Sequence, residues 1–328
     1  MPITTSNIDL YLRGVRADFA LVVDQAEKQL AAYDSNVYLD AANKTGPLFD
    51  EYNAIGQQRV EFNSVTGVKE LQPTAELQPF PEVTYVPSFI TTVEPYKFAD
   101  RIRVSYEAAE RRDSKYQSAL NEASKLNITY ANTKARHRFD KFNQGASLTT
   151  AAYTQLFDYG DGVATFASNH PDKVGGTHSN IVTASDITPT SIETMILVLQ
   201  NQVDDIGEPM PMGGGTNFMI VPPNKVKKAK ENIDSEWEVG TANNTINVWK
   251  TTGFTLVSSP FLGTTNSGSN TAWYIVDGMF SPFKDVMFKS VINDTWEDKN
   301  NKSFVHDIEF QHRVGNIDYR GAVRNAGA

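Results

Sequence analysis

Between Pro95 and Gly145 the sequence contains neither proline nor glycine, and this uninterrupted stretch constrains the fold more than any motif does. Within it Tyr116, Ala119, Ala123, Leu126 and Tyr130 keep heptad-like spacing. Ala135, Phe139 and Phe142 continue the stripe as it drifts around a 3.6-residue helix. The spacing predicts one helix over residues 105–143, a rod of roughly 58 Å at 1.5 Å per residue. That is far beyond the usual three or four turns. With no second heptad segment to wind around, such a helix serves as a scaffold strut rather than half of a coiled coil.

The segments around this rod divide by texture. Over residues 8–33, Ile8, Leu12, Val15, Phe19, Val22, Ala26 and Tyr33 recur at helical spacing, with Arg16, Asp24 and Lys28 on the other face. This predicts an amphipathic helix, weakened at Gly14, that covers either the chain's own core or a neighbour. Residues 60–98 alternate in two runs, Val60 to Ser64 and Val83 to Val93. Between them Gln72-Pro73-Thr74 and Gln78-Pro79-Phe80-Pro81 cannot continue a ladder. A long hairpin with a Pro-rich tip is expected, and such a hairpin needs another surface to lie on.

From residue 146 the pattern becomes mixed. Thr188-Pro189 opens a helix whose stripe is Ile192, Met195, Ile196, Leu199 and Val203. Phe218–Val221 reads as a strand and Val226, Ala229 and Ile233 as a helix. Phe254–Val257 and Trp273–Val276 read as strands around a turn rich in glycine, serine and asparagine. Alternation returns through Phe304, His306, Ile308, Phe310 and His312. No internal repeat and no interdomain linker is evident, and the fold class is α+β.

The chemistry is sparse. Cysteine is absent, so disulfides, thiolate catalysis and Cys-ligated zinc are excluded together. No apolar run is long enough for a membrane span, and Met1–Ser6 does not read as the start of a secretory signal. His170, Asp172 and His178 form the best metal-site candidate by residue type, yet they sit in a Gly-rich loop without helical or strand ligand spacing. They are read as a hydrogen-bonded structural loop, with no metal. Asp204, Asp205 and Glu208 could supply acid–base carboxylates, but Asp-Asp-Ile-Gly-Glu-Pro reads first as a helix exit and turn. Gly213-Gly214-Gly215 lacks the Lys-Ser/Thr of a phosphate loop, and no hydrolase, zincin or dinucleotide fingerprint occurs. No catalytic residue, cofactor site or metal site is assigned, and an enzyme is not expected.

One collinear series is more telling. It runs from Asp161-Gly162-Val163-Ala164-Thr165-Phe166-Ala167-Ser168-Asn169-His170-Pro171 through Gly175-Gly176-Thr177-His178-Ser179-Asn180. It continues with the helix from Thr188, Asp204-Asp205-Ile206-Gly207-Glu208-Pro209-Met210 and Phe218–Pro223, then Val257-Ser258-Ser259-Pro260-Phe261-Leu262 before Trp273-Tyr274. In order and spacing this resembles major capsid proteins of tailed bacteriophages, of the Mu-like major head subunit type, which adopt the Hong Kong 97-like fold. The resemblance implies an N-terminal arm (1–55), an extended hairpin loop (56–100) and a peripheral domain with a spine helix (101–145). A mixed α/β axial domain (146–271) and return strands to the peripheral domain (272–328) would follow. It implies a virion protein, assembled in the bacterial host cytoplasm, whose copies form pentamers and hexamers of an icosahedral shell around the genome. Scaffold, portal and decoration proteins are the further partners it implies, with no membrane. An encapsulin-like nanocompartment shell shares the fold and is the alternative; an enzyme of unknown class is a remote one.

Two local features remain. The chain carries a net charge of −9, yet residues 101–145 hold ten basic residues against five acidic ones. Of these, Lys134, Arg136, Arg138 and Lys141 cluster near the end of the rod, where cations complement the helix dipole. They are read either as a solvated face, or one paired with acidic residues of adjacent subunits, or as weak, non-specific contacts to packaged DNA. Lys69, in the expected hairpin, is read as a solvated lysine rather than a crosslinking one.

Overall fold

The computed structural model describes residues 13–20, 48–64, 74, 78, 88–143, 145, 160–215, 217–238, 245–264 and 267–328. A helix over residues 13–20 (α1) is the described part of the expected N-terminal amphipathic helix. Val15 and Phe19 are buried in one cluster with Val104, Tyr116 and Phe304. Here α1 covers the chain's own core, and Arg16 Nε donates to the Thr295 carbonyl at 2.7 Å.

Strands β1 (Asp50–Asn53), β2 (Val60–Asn63), β3 (Ile90–Val93) and β4 (Tyr96–Ser105) come next. β2 pairs antiparallel with β3, Val60 opposite Val93 and Asn63 opposite Ile90. This is the base of the expected hairpin. Residues 65–73, 75–77 and 79–87, which include Lys69 and the prolines of the tip, lie outside the described residues. β1 falls within the expected N-terminal arm, yet it is a strand of the main sheet.

The long stretch without proline or glycine is not one rod. After β4, Ser105 accepts from the Ala108 amide and caps α2 (Tyr106–Arg111), which ends at Arg112 in the left-handed region with φ 48°. Asp113 Oδ1 then accepts from the amides of Lys115 and Tyr116 and starts α3 (Ser114–Asn143). A side chain that satisfies the orphan amides of a first turn can open a new helix without proline or glycine. The spine helix is therefore 30 residues, about 45 Å at 1.5 Å per residue. Of its expected stripe, Tyr116, Ala119, Ala123, Leu126, Ala135, Phe139 and Phe142 are buried and Tyr130 is half-buried.

Beyond it lie β5 (His170–Pro171), β6 (Thr177–His178), β7 (Ile181–Val182), α4 (Pro189–Gln200) and β8 (Asn217–Val221). They are followed by α5 (Val226–Ile233), α6 (Trp249–Thr252), β9 (Thr255–Ser258) and β10 (Trp273–Asp277). The chain continues through β11 (Phe283–Asp298), β12 (Ser303–Asn316) and β13 (Ala322–Asn325). Thr188 and Ser191 form a reciprocal capping box with Pro189 in the first turn, so α4 starts where the sequence places it.

Two sheets organise the molecule, in the orders β1-β11-β12-β4 and β7-β13-β10-β8-β9. β9 and β10 do not pair across their Gly-rich turn: β8 lies between them, parallel to β9 and antiparallel to β10. β8 and β10 are buried along their whole length. Met219, Val221, Trp273 and Ile275 pack with residues of α4 and α5. The alternate residues Phe218, Ile220, Tyr274 and Val276 pack with Phe139 and Phe142 at the end of α3. The segment 272–328 thus serves both sheets, β11 and β12 in the first and β10 and β13 in the second.

Candidate functional site

Among the four basic residues at the end of α3, Lys134, Arg138 and Lys141 fall three and four apart and share one helix face, leaving Arg136 on another. That face meets β1 and β11. Arg138 Nε donates to Asp285 Oδ2 at 2.5 Å and its Nη2 to Glu51 Oε1 at 2.6 Å; Lys134 Nζ lies 3.1 Å from the same Glu51 oxygen. Arg138 and Lys141 are 4% and 3% exposed, and Lys134 is half-buried. The reading as a solvated face is therefore corrected for three of the four: Lys134 and Arg138 pair within the chain, Lys141 is buried, and only Arg136 is exposed. Burial acts to raise the Asp285 carboxyl, and His312, Arg138 and Lys134 outweigh it and hold it below the usual carboxylate range.

Two histidines lie against this ion cluster. His137 of α3 stacks on His312 of β12, with ring centroids 5.3 Å apart and planes 6° apart, and also packs on Phe98. Burial lowers His312 to about 4, against the pull of Asp285. Burial, reinforced by His312, lowers His137 to about 3. Both are neutral at pH 7, so the pair is an apolar-like spacer between helix and sheet.

The histidines singled out in the sequence occupy a small hairpin rather than an irregular loop: β5 and β6 pair antiparallel with His170 directly opposite His178. His170 Nδ1 lies 2.8 Å from Asp161 Oδ2, and His178 Nε2 lies 3.1 Å from Asp172 Oδ2. The His170 ring stacks 4.2 Å from Tyr319. Asp172 Oδ1 also accepts from the amides of Val174 and Gly176. Each of these imidazoles is held by one carboxylate. Among the described residues no group of three His, Cys, Asp or Glu side chains could hold a metal ion.

Asp204 and Asp205 separate in role. Asp204 Oδ1 accepts from the amides of Ile206 and Glu208 at 2.9 Å, closing the turn that the sequence predicts. Asp205 Oδ1 receives Arg320 Nη2 at 2.8 Å, while Arg320 Nη1 meets both oxygens of Asp318 at 3.2 Å and its Nε donates to the Val203 carbonyl. Burial raises the Asp205 carboxyl even so. Arg320 is completely buried, and its guanidinium lies 4.5 Å over the Tyr319 ring. Sequence reasoning missed Arg320 and Asp318. The sequence shows only Asp318-Tyr319-Arg320-Gly321, and the reason for its glycine is visible in the fold: Gly321 has φ +79°, and a Cβ on it would lie 2.4 Å from the Phe280 carbonyl. Gly213 is likewise a fixed turn, its amide donating to Asp277 Oδ2 at 2.6 Å.

All of these constellations knit elements together. A sequence model of the phage capsid protein family matches residues 89–325, from the end of the hairpin through β13. The chain belongs to the phage capsid protein family. Solved structures share its fold at low identity. The capsid of Ralstonia phage GP4 aligns with a TM-score of 0.56 at 10% identity, covering 90% of this chain and 91% of that one. The mature capsid of bacteriophage PhiM1 aligns at 0.54 and 9% identity, covering 85% of each chain. Mycobacterium phage Patience aligns at 0.51 and 13% identity, covering 99% of this chain and 90% of that one. No curated protein matches the sequence. The fold is the Hong Kong 97-like capsid fold, and as a phage capsid protein the chain is a structural virion component.

Proposed function

We propose that many copies of this chain assemble, as pentamers and hexamers, into an icosahedral shell that encloses the phage genome, with assembly in the bacterial host cytoplasm. The observation that carries this is the family match, which spans the spine helix and every strand of the two main sheets except β1. Closed lattices need no single tight contact, because each subunit meets several neighbours at once. In this reading α3 with the four-stranded sheet is the peripheral domain and the five-stranded sheet is the axial domain at the capsomer centre. The β2–β3 base carries an extended loop toward a neighbour. Scaffold, portal and decoration proteins are the partners such a shell calls for. Contact with DNA is weak, because an acidic chain repels the phosphate backbone and Lys134 and Arg138 of α3 are engaged by Asp285 and Glu51.

Electron microscopy of particles purified from expressing cells tests this directly. Closed shells with five- and six-neighboured capsomers are expected, and DNA rather than protein cargo inside particles from infected cells. Sedimentation showing only monomers, even with a scaffold supplied, overturns it; shells filled with protein cargo favour an encapsulin-like compartment instead.

A further inference from the structure

The β2–β3 ribbon is held at its two ends by different parts of the molecule. At one end Val60 faces Val93, and both pack with Val286 and Phe288 of β11. Val93 is completely buried and lies against Gly315 of β12, where a Cβ would stand 2.7 Å from its Cγ2. This end belongs to the four-stranded sheet. At the other end Asn63 faces Ile90. Just beyond, the Ser64 amide donates to the Phe89 carbonyl at 2.9 Å, and the Phe89 amide donates to Ser64 Oγ at 3.1 Å. That second end is gripped from the side of the five-stranded sheet.

Two contacts make the grip. The Gly160 amide donates to Oγ1 of the completely buried Thr91 at 3.2 Å. A Cβ on Gly160 would lie 2.2 Å from the Ile90 carbonyl, so glycine is what lets the two backbones approach this closely. The second contact comes from the turn between β5 and β6, where Lys173 Nζ stands 3.7 Å from the centre of the Phe89 ring, well within cation–π reach. Both contacts spring from fixed mounts. Asp161, beside Gly160, accepts from the Val163 amide and pairs with His170 of β5, both side chains fully buried. Asp172 closes the turn that carries Lys173, accepting from the Val174 and Gly176 amides and meeting His178 of β6. β7 follows two residues after β6 and is an edge strand of the five-stranded sheet. The two contacts differ in exposure: Thr91 is sealed in, whereas Lys173 is exposed.

We propose that Lys173 is the catch of a clasp, which fixes the direction in which the chain between β2 and β3 leaves the subunit. With the catch closed on Phe89, that direction is set by both sheets. With it open, the Ser64–Phe89 end is loosened while the Val60–Val93 end stays on the four-stranded sheet, so the ribbon acts as a hinge. A shift of one sheet against the other is thereby passed to whatever the ribbon carries. The inference deepens the shell reading above, in which the ribbon carries a loop toward a neighbour.

Residue-resolved hydrogen exchange on the full, unassembled chain tests the clasp. Lys173→Gln should speed exchange of the Ser64 and Phe89 amides about two- to fivefold, the worth of one exposed cation–π contact. Exchange in β8 and β10 and the melting temperature should stay as they are. Lys173→Arg keeps a cation over the ring and should restore the original rates. Unchanged rates at Ser64 and Phe89 in Lys173→Gln, a gain spread evenly over the whole chain, or no recovery with arginine overturns the clasp. None of these outcomes depends on a shell. Sedimentation that shows only monomers, with scaffold supplied, overturns the shell reading instead and leaves the clasp to be judged by exchange alone.

Discussion

Arg138 is the residue whose role changes most between sequence and structure. It neutralises Asp285, which is 2% exposed, and ties β1 to β11 through Glu51. Removing one partner of a buried pair strands the other, at a cost of about 3–5 kcal/mol. Arg138→Gln should therefore destabilise the subunit by that order in urea unfolding, and Arg138→Leu with Asp285→Leu should recover much of it. Arg136→Gln should be nearly neutral. The stacked histidines make a second, pH-dependent prediction. His137 and His312 have folded values of about 3 and about 4, below the ordinary value near 6.5, because burial disfavours the imidazolium. From pH 6.5 downward the unfolded chain binds protons that the fold refuses. Stability must then fall toward pH 4, by about 1.4 kcal/mol per pH unit for each histidine once it is fully protonated in the unfolded chain. Burial raises Asp140 to about 6, which opposes this by one proton below that pH. Unfolding of wild type and His137→Phe at pH 7, 6 and 5 isolates the histidine contribution: the variant should lose less stability on acidification.

At the scale of elements, the two-residue break between α2 and α3 depends on Asp113. Asp113→Ala should cost about 1 kcal/mol, the usual worth of an N-cap. Arg112→Gly should gain a few tenths, because glycine adopts φ 48° without strain; melting of both variants checks the pair. The spine's apolar stripe, the α4 cap and strands β8 to β10 were legible because each follows from local periodicity or capping chemistry. The break was not foreseen, because an Asp in a charged run looks like one more solvated residue until its carboxylate is seen against the Lys115 and Tyr116 amides. Strand order was illegible for another reason. β8 lies between β9 and β10 through contacts far apart in sequence, which no window of residues contains. The charge face of α3 could have been read: residues 134, 138 and 141 share helical phase and 136 does not. Their acidic partners at 51 and 285 could not.

Considered whole, the molecule is joined where α3 ends. Phe142 packs on Tyr274 of the five-stranded sheet, on Phe283 of the four-stranded one and on Phe49 just before β1. Its carbonyl receives the Tyr274 hydroxyl at 2.6 Å. Phe142→Ala should cost about 3–5 kcal/mol and split a single calorimetric transition into two as the sheets uncouple. β13 has a different consequence. It is the last strand of its sheet to be synthesised, yet it is an inner one, lying between β7 and β10 with Val323 fully buried. A nascent chain that has not yet delivered Ala322–Asn325 holds an apolar sheet missing one of its middle members, and no earlier strand can stand in. The sheet gains its full set of strands only once Ala322–Asn325 has been made. A chain released before that point keeps an incomplete sheet, so the last few residues of β13 act as a test that a copy must pass before its apolar strands are covered.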